Sequence, residues 1–250
     1  MRREYIDSMP DLHATWLSRL SRPWNAVLDA LPSQCAICRR WPAARFCADC
    51  LAKWSQPVPR CSLCARHLEG GAAVCGACLK QPPRLKHCIA VLDYAYPWQN
   101  VIARYKFHGD TGLAHGLGRL MSSHPQVEQV LDGSDLLLPV PASDQRLRER
   151  GFDHTLLLAR ALHPSIPIWH RAVERRHTLQ SQHELGRAQR LRHLQKVFAV
   201  APDFSSRIRG RHIALLDDVM TTGATLDALA GCLLQSGAAG VSALVLCRTP

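Results

Sequence analysis

An α/β domain with a mostly parallel sheet flanked by helices, preceded by a small cysteine-rich module, is the fold class this sequence predicts. Three observations predict it. Eight of the 11 cysteines fall in four Cys-x-x-Cys pairs ahead of Leu79. From Cys88 onward, short apolar runs alternate with helical stripes, the pattern of strands and helices wound into one sheet. The run Ile213–Thr225 then joins a buried strand to an amphipathic helix through acidic and hydroxyl residues.

The 250 residues, 47% of them hydrophobic, suffice for one ordinary domain plus a small one and exclude overall disorder. No apolar run approaches the ~20 residues of a membrane span. Glu4, Asp7 and Asp11 interrupt the N-terminus, which lacks the apolar core of a signal peptide, so a cytoplasmic protein is expected. Residues 1–34 carry an amphipathic stretch, with Trp16, Leu17, Leu20, Trp24, Val27, Leu28 and Leu31 on one broad stripe interrupted by Pro23. Packing against the domain is the expectation. A membrane-surface helix is the alternative.

A reducing compartment rules out a disulfide framework, so metal is the better account of the cysteines. Cys35/Cys38, Cys47/Cys50, Cys61/Cys64 and Cys75/Cys78 each present two thiolates from one tight turn, and two such knuckles complete a tetrahedral zinc site. The short intervening segments favour sequential pairing, with interleaving left open. Residues 35–84 are thus expected to form a double zinc ribbon that depends on metal for its fold. Gln81-Pro-Pro-Arg84 marks the linker. Cys232 and Cys247 fall on apolar segments and are expected in the core.

Within residues 85–250, strands are expected at Ile89–Tyr94, Leu136–Val140, Ile166–Trp169, Val197–Val200, Ile213–Leu216 and Val241–Leu246. Helices are expected at Gln99–Tyr105, Leu113–Ser122, Arg150–Leu162, Arg187–Leu194 and Thr225–Gln235. Gly116 and Gly118 lack the third glycine and the preceding strand of a dinucleotide fingerprint. The 13 histidines show no metal-ligand spacing beside the knuckles and are expected mostly on the surface.

The Ile213–Thr225 block carries the chemistry. Asp217 and Asp218 place two like charges at the carboxyl end of a strand, and no sequence neighbour neutralises them. Ribose hydroxyls, or magnesium carried on a substrate's oxygens, would satisfy such a pair. Thr221, Thr222, Gly223, Ala224 and Thr225 supply hydroxyl donors and a tight turn. Leu226, Leu229, Ala230, Leu233 and Leu234 then form a buried stripe, so the threonines lie at a helix N-terminus that favours phosphate.

This block resembles the phosphoribosyl pyrophosphate (PRPP) signature of type I phosphoribosyltransferases. Together with the four knuckles, Pro139-Val-Pro141 and Arg146…Arg150-Gly-Phe, it resembles the ComF family over almost the whole chain. The resemblance implies a double zinc ribbon on a type I phosphoribosyltransferase-like domain, and a part in DNA uptake during natural transformation. It also implies a magnesium-PRPP site in which Thr221–Thr225 hold the 5′-phosphate and Asp217 and Asp218 the ribose, as catalytic carboxylates if transfer occurs. Pro139, Val140, Pro141, Ala142 and Ser143, with Arg146 and Arg150, would then meet the pyrophosphate. Lys106 matches a family position, and Arg175–Arg192, with Gln182, His183, Leu185 and Arg190, falls where such enzymes carry a mobile hood.

Asp153, His154 and His193 depart from residues common in the family, and an acid at 153 is expected to repel pyrophosphate. The net charge of +11 concentrates between Arg146 and Lys196, where 11 basic face 4 acidic residues. Such a field suits a polyphosphate or a nucleic-acid backbone. The competing expectation is therefore a non-catalytic factor that handles single-stranded DNA beside the uptake machinery, with a regulatory or vestigial PRPP pocket. Trp41, Phe46 and Trp54 are its expected stacking residues.

Overall fold

A computed structural model describes residues 33–162, 164–175 and 197–250. The amphipathic stretch up to Leu31, the helix expected at Arg187–Leu194, His193 and the hood beyond Arg175 lie outside the described residues. The chain divides into two compact units, Met1–Lys53 and Trp54–Pro250.

Each knuckle pair closes in the same way. The first ends on helix α1 (Ala48–Trp54), which carries Cys50, and the second on α2 (Gly76–Lys80), which carries Cys78. Chain reversal at each first knuckle needs a left-handed residue just after it, Arg39 at φ 64° and Ala65 at φ 55°.

The second unit is built on four parallel strands in the order β1-β6-β5-β2. They are β1 (Cys88–Asp93), β2 (Leu136–Pro139), β5 (His212–Met220) and β6 (Gly240–Arg248). Ile213, Ala214, Leu215 and Leu216 are 0–1% exposed, as are Ala243, Leu244 and Val245, so the central strands are covered on both faces. Helices α3 (Trp98–Phe107), α4 (Leu113–Ser122) and α5 (Pro125–Asp132) lie between β1 and β2 in the chain. α6 (Asp144–Arg150) and α7 (His154–Ala161) follow β2, and α9 (Ala224–Gln235) joins β5 to β6. A short antiparallel pair, β3 (Val173–Arg175) with β4 (Phe198–Val200), stands apart from the sheet, and the single turn α8 (Ser205–Ile208) precedes β5.

Three expectations need correction. The helix expected at Arg150–Leu162 is two helices, because Gly151 adopts φ 76° and ends α6 while Asp153 caps α7. The strand expected at Ile166–Trp169 shrinks to one bridge, Leu137 with Ile168, since Pro167 has no N–H to give a ladder. β5 runs on to Met220, so Asp217 and Asp218 lie within the strand rather than past its end. Gly118 also finds its reason: a Cβ there would meet the Ala161 carbonyl carbon and oxygen at 2.4 Å, which fixes the close approach of α4 to α7.

Candidate functional site

β2 and β5 are neighbours, with Pro139 opposite Leu216 and Val140 N–H donating to Leu216 O at 2.8 Å. Their carboxyl ends thus place the Pro139–Ser143 segment beside Asp217 and Asp218, at the end of a parallel sheet where ligands bind. Pro141, Ala142 and Ser143 are half-buried. Ser143 Oγ caps α6 by accepting from Arg146 N–H at 3.4 Å, which leaves Arg146 exposed on the first turn.

After β5 the chain turns into α9 through Thr221 and Thr222, both exposed, with Thr222 Oγ1 accepting from Ala224 N–H at 3.3 Å. Gly223 sits at φ 80° as the N-cap, and a Cβ there would lie 2.4 Å from Met220 Cε. The turn therefore demands glycine by conformation, and the Met220 methyl would have to move aside for any side chain. Ala224 and Thr225 open the helix and are half-buried.

The two carboxylates have unlike surroundings. Asp218 is 2% exposed, and its Oδ2 lies 2.8 Å from Lys106 Nζ and 2.9 Å from His154 Nε2. Both partners come from far along the chain, as the lack of one among the sequence neighbours requires, and one histidine lies in the interior. Burial opposes charge on Asp218, but the His154 hydrogen bond and the Lys106 charge outweigh it and hold the carboxyl well below the usual range. Asp217 is half-buried, with Oδ1 accepting from Asp218 N–H at 2.9 Å. Burial first, then the Asp218 charge, push its carboxyl up.

His154 links this pair to the arginines. Arg150 Nη1 lies 3.0 Å from His154 Nδ1 and 3.4 Å from its Nε2, while Nε2 also faces Asp218 Oδ2 at 2.9 Å. Tyr105 Oη donates to His154 O at 2.5 Å. Asp153 caps α7, its Oδ1 accepting from Leu156 N–H at 3.0 Å. Arg175, Arg146 and Asp217 share one electrostatic field. Burial and repulsion from Arg146 lower the Arg175 guanidinium, while Asp217 raises it.

Two clusters of sulfur have the geometry of zinc sites. Cys35, Cys38, Cys47 and Cys50 form one, and Cys61, Cys64, Cys75 and Cys78 the other, with all four Sγ atoms of each within 4.8 Å of one another. Sequential pairing is therefore the one present. A tetrahedron with zinc–sulfur bonds of about 2.3 Å has sulfurs about 3.8 Å apart. The observed separations are 3.9 Å for Cys35–Cys50, 3.7 Å for Cys38–Cys47 and 3.7 Å for Cys64–Cys75. Burial would raise the Cys35 thiol, but N–H donors from Cys47, Cys38 and Ile37 prevail and lower it to about 6. Cys61 falls to about 7 for the same reason.

Arg248 ties the second cluster to the end of β5. It is 5% exposed, and its Nε donates to Cys64 O at 3.2 Å while Nη1 donates to Met220 O at 3.4 Å. Among the described residues no carboxylate pairs with it, so a zinc-filled cluster, net −2, would supply the missing anion. A cavity of about 690 Å³ lies elsewhere, at the amino ends of β1, β5 and β6, and is lined in part by Lys86, His124 and His212. No residue of the Asp217–Thr225 block lines it.

No protein-family model matches the chain. It is 32% identical over 230 residues to the DNA utilization protein YhgH of Escherichia coli K12, a match covering 88% of this chain and 98% of that protein. It is 31% identical over 217 residues to competence protein ComFC of Bacillus subtilis, covering 83% and 86%. This chain belongs to the ComF family. Its helix-flanked parallel sheet is of the phosphoribosyltransferase-like class, joined to two zinc-ribbon-like clusters as ComF proteins were expected to show. Competence protein F of Haemophilus influenzae, another ComF relative, is 28% identical over 208 residues, covering 81% of this chain and 90% of that one. Among solved structures, the allosteric regulatory enzyme of purine biosynthesis overlaps 57% of this chain and 29% of its own, with TM-score 0.39 at 15% identity. A hypoxanthine phosphoribosyltransferase from Staphylococcus aureus overlaps 56% and 65%, with TM-score 0.35 at 14% identity.

Among the described residues no helix is long and apolar enough to cross a membrane. Lys106 and His154 are the site residues that local sequence underweighted. The available signals were a lysine one residue after a helical tyrosine and a histidine where the family commonly has an amide.

Proposed function

We propose that this ComF protein serves DNA uptake and binds magnesium-PRPP at the carboxyl ends of β2 and β5. Its relatives, competence and DNA utilization proteins, support the first part. The observation that carries the second is the adjacency of three elements: the Pro139–Ser143 segment, the Asp217–Asp218 pair and the Gly223 turn. In this reading backbone amides of the Thr221–Thr225 turn take the 5′-phosphate. Asp217 takes the ribose hydroxyls, and the Pro139–Ser143 segment with Arg146 and Arg150 takes the pyrophosphate.

The donor set fits a magnesium ion brought in on the substrate. Asp217 has one oxygen engaged by Asp218 N–H and its charge opposed by burial, so a cation or hydroxyl donors would relieve it. Magnesium would neutralise charge on the departing pyrophosphate. The chemistry open to the site is displacement at the anomeric carbon, with Asp217 favouring positive charge on the sugar.

One observation favours a second reading, a regulatory or vestigial PRPP pocket on a DNA-handling factor. Asp218 already has the Lys106 ammonium at 2.8 Å and His154 at 2.9 Å from one oxygen within the protein, so a single carboxylate of the pair faces a ligand. Calorimetry of zinc-loaded protein with PRPP and magnesium tests the site, and Asp217→Asn should abolish the heat. Pyrophosphate release across nucleobases and amines then separates enzyme from ligand-gated factor. No saturable heat with PRPP would sink the site itself.

A further inference from the structure

Base stacking needs an exposed aromatic face beside positive charge, and the residues expected to supply it do not all qualify. Phe46 is 6% exposed and lies in the interior. Phe107 was not expected to serve, yet it is 65% exposed at the last position of α3. Single exposed apolar side chains are ordinary in folded proteins. Phe107 is distinguished by what touches it.

The Arg150 guanidinium carbon lies 4.9 Å from the centroid of the Phe107 ring. Arg150 is fixed there by His154, which in turn reaches Asp218, and the neighbouring Lys106 reaches the same carboxylate. The ring is thus held at the margin of the candidate site. One face meets a cation, and its exposure leaves apolar ring surface open. A phenyl face backed by a guanidinium, whose helix α6 also carries the exposed Arg146 and Arg148, has the chemistry that holds an unstacked nucleobase and its phosphate.

We propose that Phe107, backed by Arg150, is a nucleobase-stacking surface at the edge of the candidate site. The base comes either from single-stranded DNA or from a free acceptor base held beside PRPP. Both present the same π face, and only the second source rests on the PRPP reading above.

The test uses full-length zinc-loaded protein. Phe107→Trp places a reporter indole in the stacking position, and its fluorescence is titrated in two arms. The first uses a dT oligonucleotide without PRPP or magnesium, against an abasic oligonucleotide of equal length. The second uses free purine and pyrimidine bases with saturating magnesium-PRPP. Quenching by the base-bearing oligonucleotide alone assigns the DNA source, and quenching by a free base alone assigns the acceptor. In the arm that responds, Phe107→Ala and Phe107→Leu should both lose about 10-fold or more in affinity, because leucine keeps the bulk and lacks the π face. The proposal is overturned by no quenching in either arm, by equal quenching with the abasic strand, or by full retention of affinity in Phe107→Leu. Since the first arm omits PRPP, its outcome stands whatever calorimetry finds at the PRPP site.

Discussion

The two four-cysteine clusters share a ligand plan and differ in their surroundings. In each, a backbone N–H of the second knuckle donates to the leading sulfur, Cys47 N–H to Cys35 Sγ at 3.4 Å and Cys75 N–H to Cys61 Sγ at 3.3 Å. In each, a left-handed non-glycine residue follows the first knuckle. The first cluster belongs to the small unit, where Cys38 and Arg39 face solvent and Trp41 is 63% exposed. The second is part of the sheet unit. Ser62 O accepts from Cys88 N–H at the start of β1, Ala65 joins the main core, and Arg248 spans from Cys64 to Met220. The same metal chemistry thus organises a module in one place and serves as a wall of the sheet domain in the other.

The largest test of that difference removes one ligand from each cluster. Cys61→Ala would empty the second site and leave Arg248 buried without its anion, a loss of about 3–5 kcal/mol by analogy with broken buried pairs. For a unit of this size that lowers the melting temperature by roughly 10 °C. Cys35→Ala should leave the melting of the sheet unit within about 2 °C. Calorimetric scans with zinc content measured on each variant check both, and equal shifts would erase the distinction.

A sharper probe leaves both zinc ions in place. Arg248→Met keeps the buried bulk but deprives Cys64 O of its arginine donor, while Met220 O keeps the Thr249 N–H at 3.0 Å, at a cost of about 1–3 kcal/mol for the one buried carbonyl. Met220 immediately precedes the Thr221–Thr225 turn, so the affinity for magnesium-PRPP should fall along with stability. Retained zinc with weakened binding is the expected outcome in chelator and calorimetric titrations.

Like residues in unlike settings recur at Asp217 and Asp218, and pH separates them. The Asp218 carboxyl is held down in the fold, so the stability it supplies is present above about pH 4 and fades as pH falls below that. The Asp217 carboxyl is pushed up, so its stability is complete at low pH and is lost as pH rises through its elevated folded value. Asp218→Asn should therefore cost about 3 kcal/mol at neutral pH and less in acid. Asp217→Asn should be neutral near pH 4 and stabilising by about 1 kcal/mol or more at alkaline pH, even as it removes PRPP binding. Urea titrations across that range decide the signs.

What could be read in the sequence was what is local along the chain. The knuckles and the β5-to-α9 turn each lie within a few residues, and their spacing carries their geometry. The Lys106 and His154 contacts with Asp218 join three separate elements, so sequence could mark the residues singly but not their meeting. The break at Gly151–Asp153 was legible in principle, as a glycine stop followed by an acidic cap, but the apolar period of α7 obscured it. α5 was missed although Pro125 opens it and Val127 and Leu131 bury one face. Its single buried turn is too short a stripe to stand out.

The smallest test acts on backbone alone. A non-glycine residue in the left-handed region costs about 1–2 kcal/mol, and glycine returns about 0.5–1 kcal/mol of that as unfolded-chain entropy. Arg39→Gly should therefore stabilise the first cluster by roughly 0.5 kcal/mol, because its side chain faces solvent and nothing else is lost. Ala65→Gly gains the same relief but strips a methyl that is 0% exposed within the sheet unit's core, at a cost of about 1 kcal/mol. One substitution at equivalent positions should then have opposite signs, read as zinc affinity at each cluster by chelator competition. Equal gains at both would mean that the second knuckle, like the first, is held by metal alone and owes nothing to the core it lines.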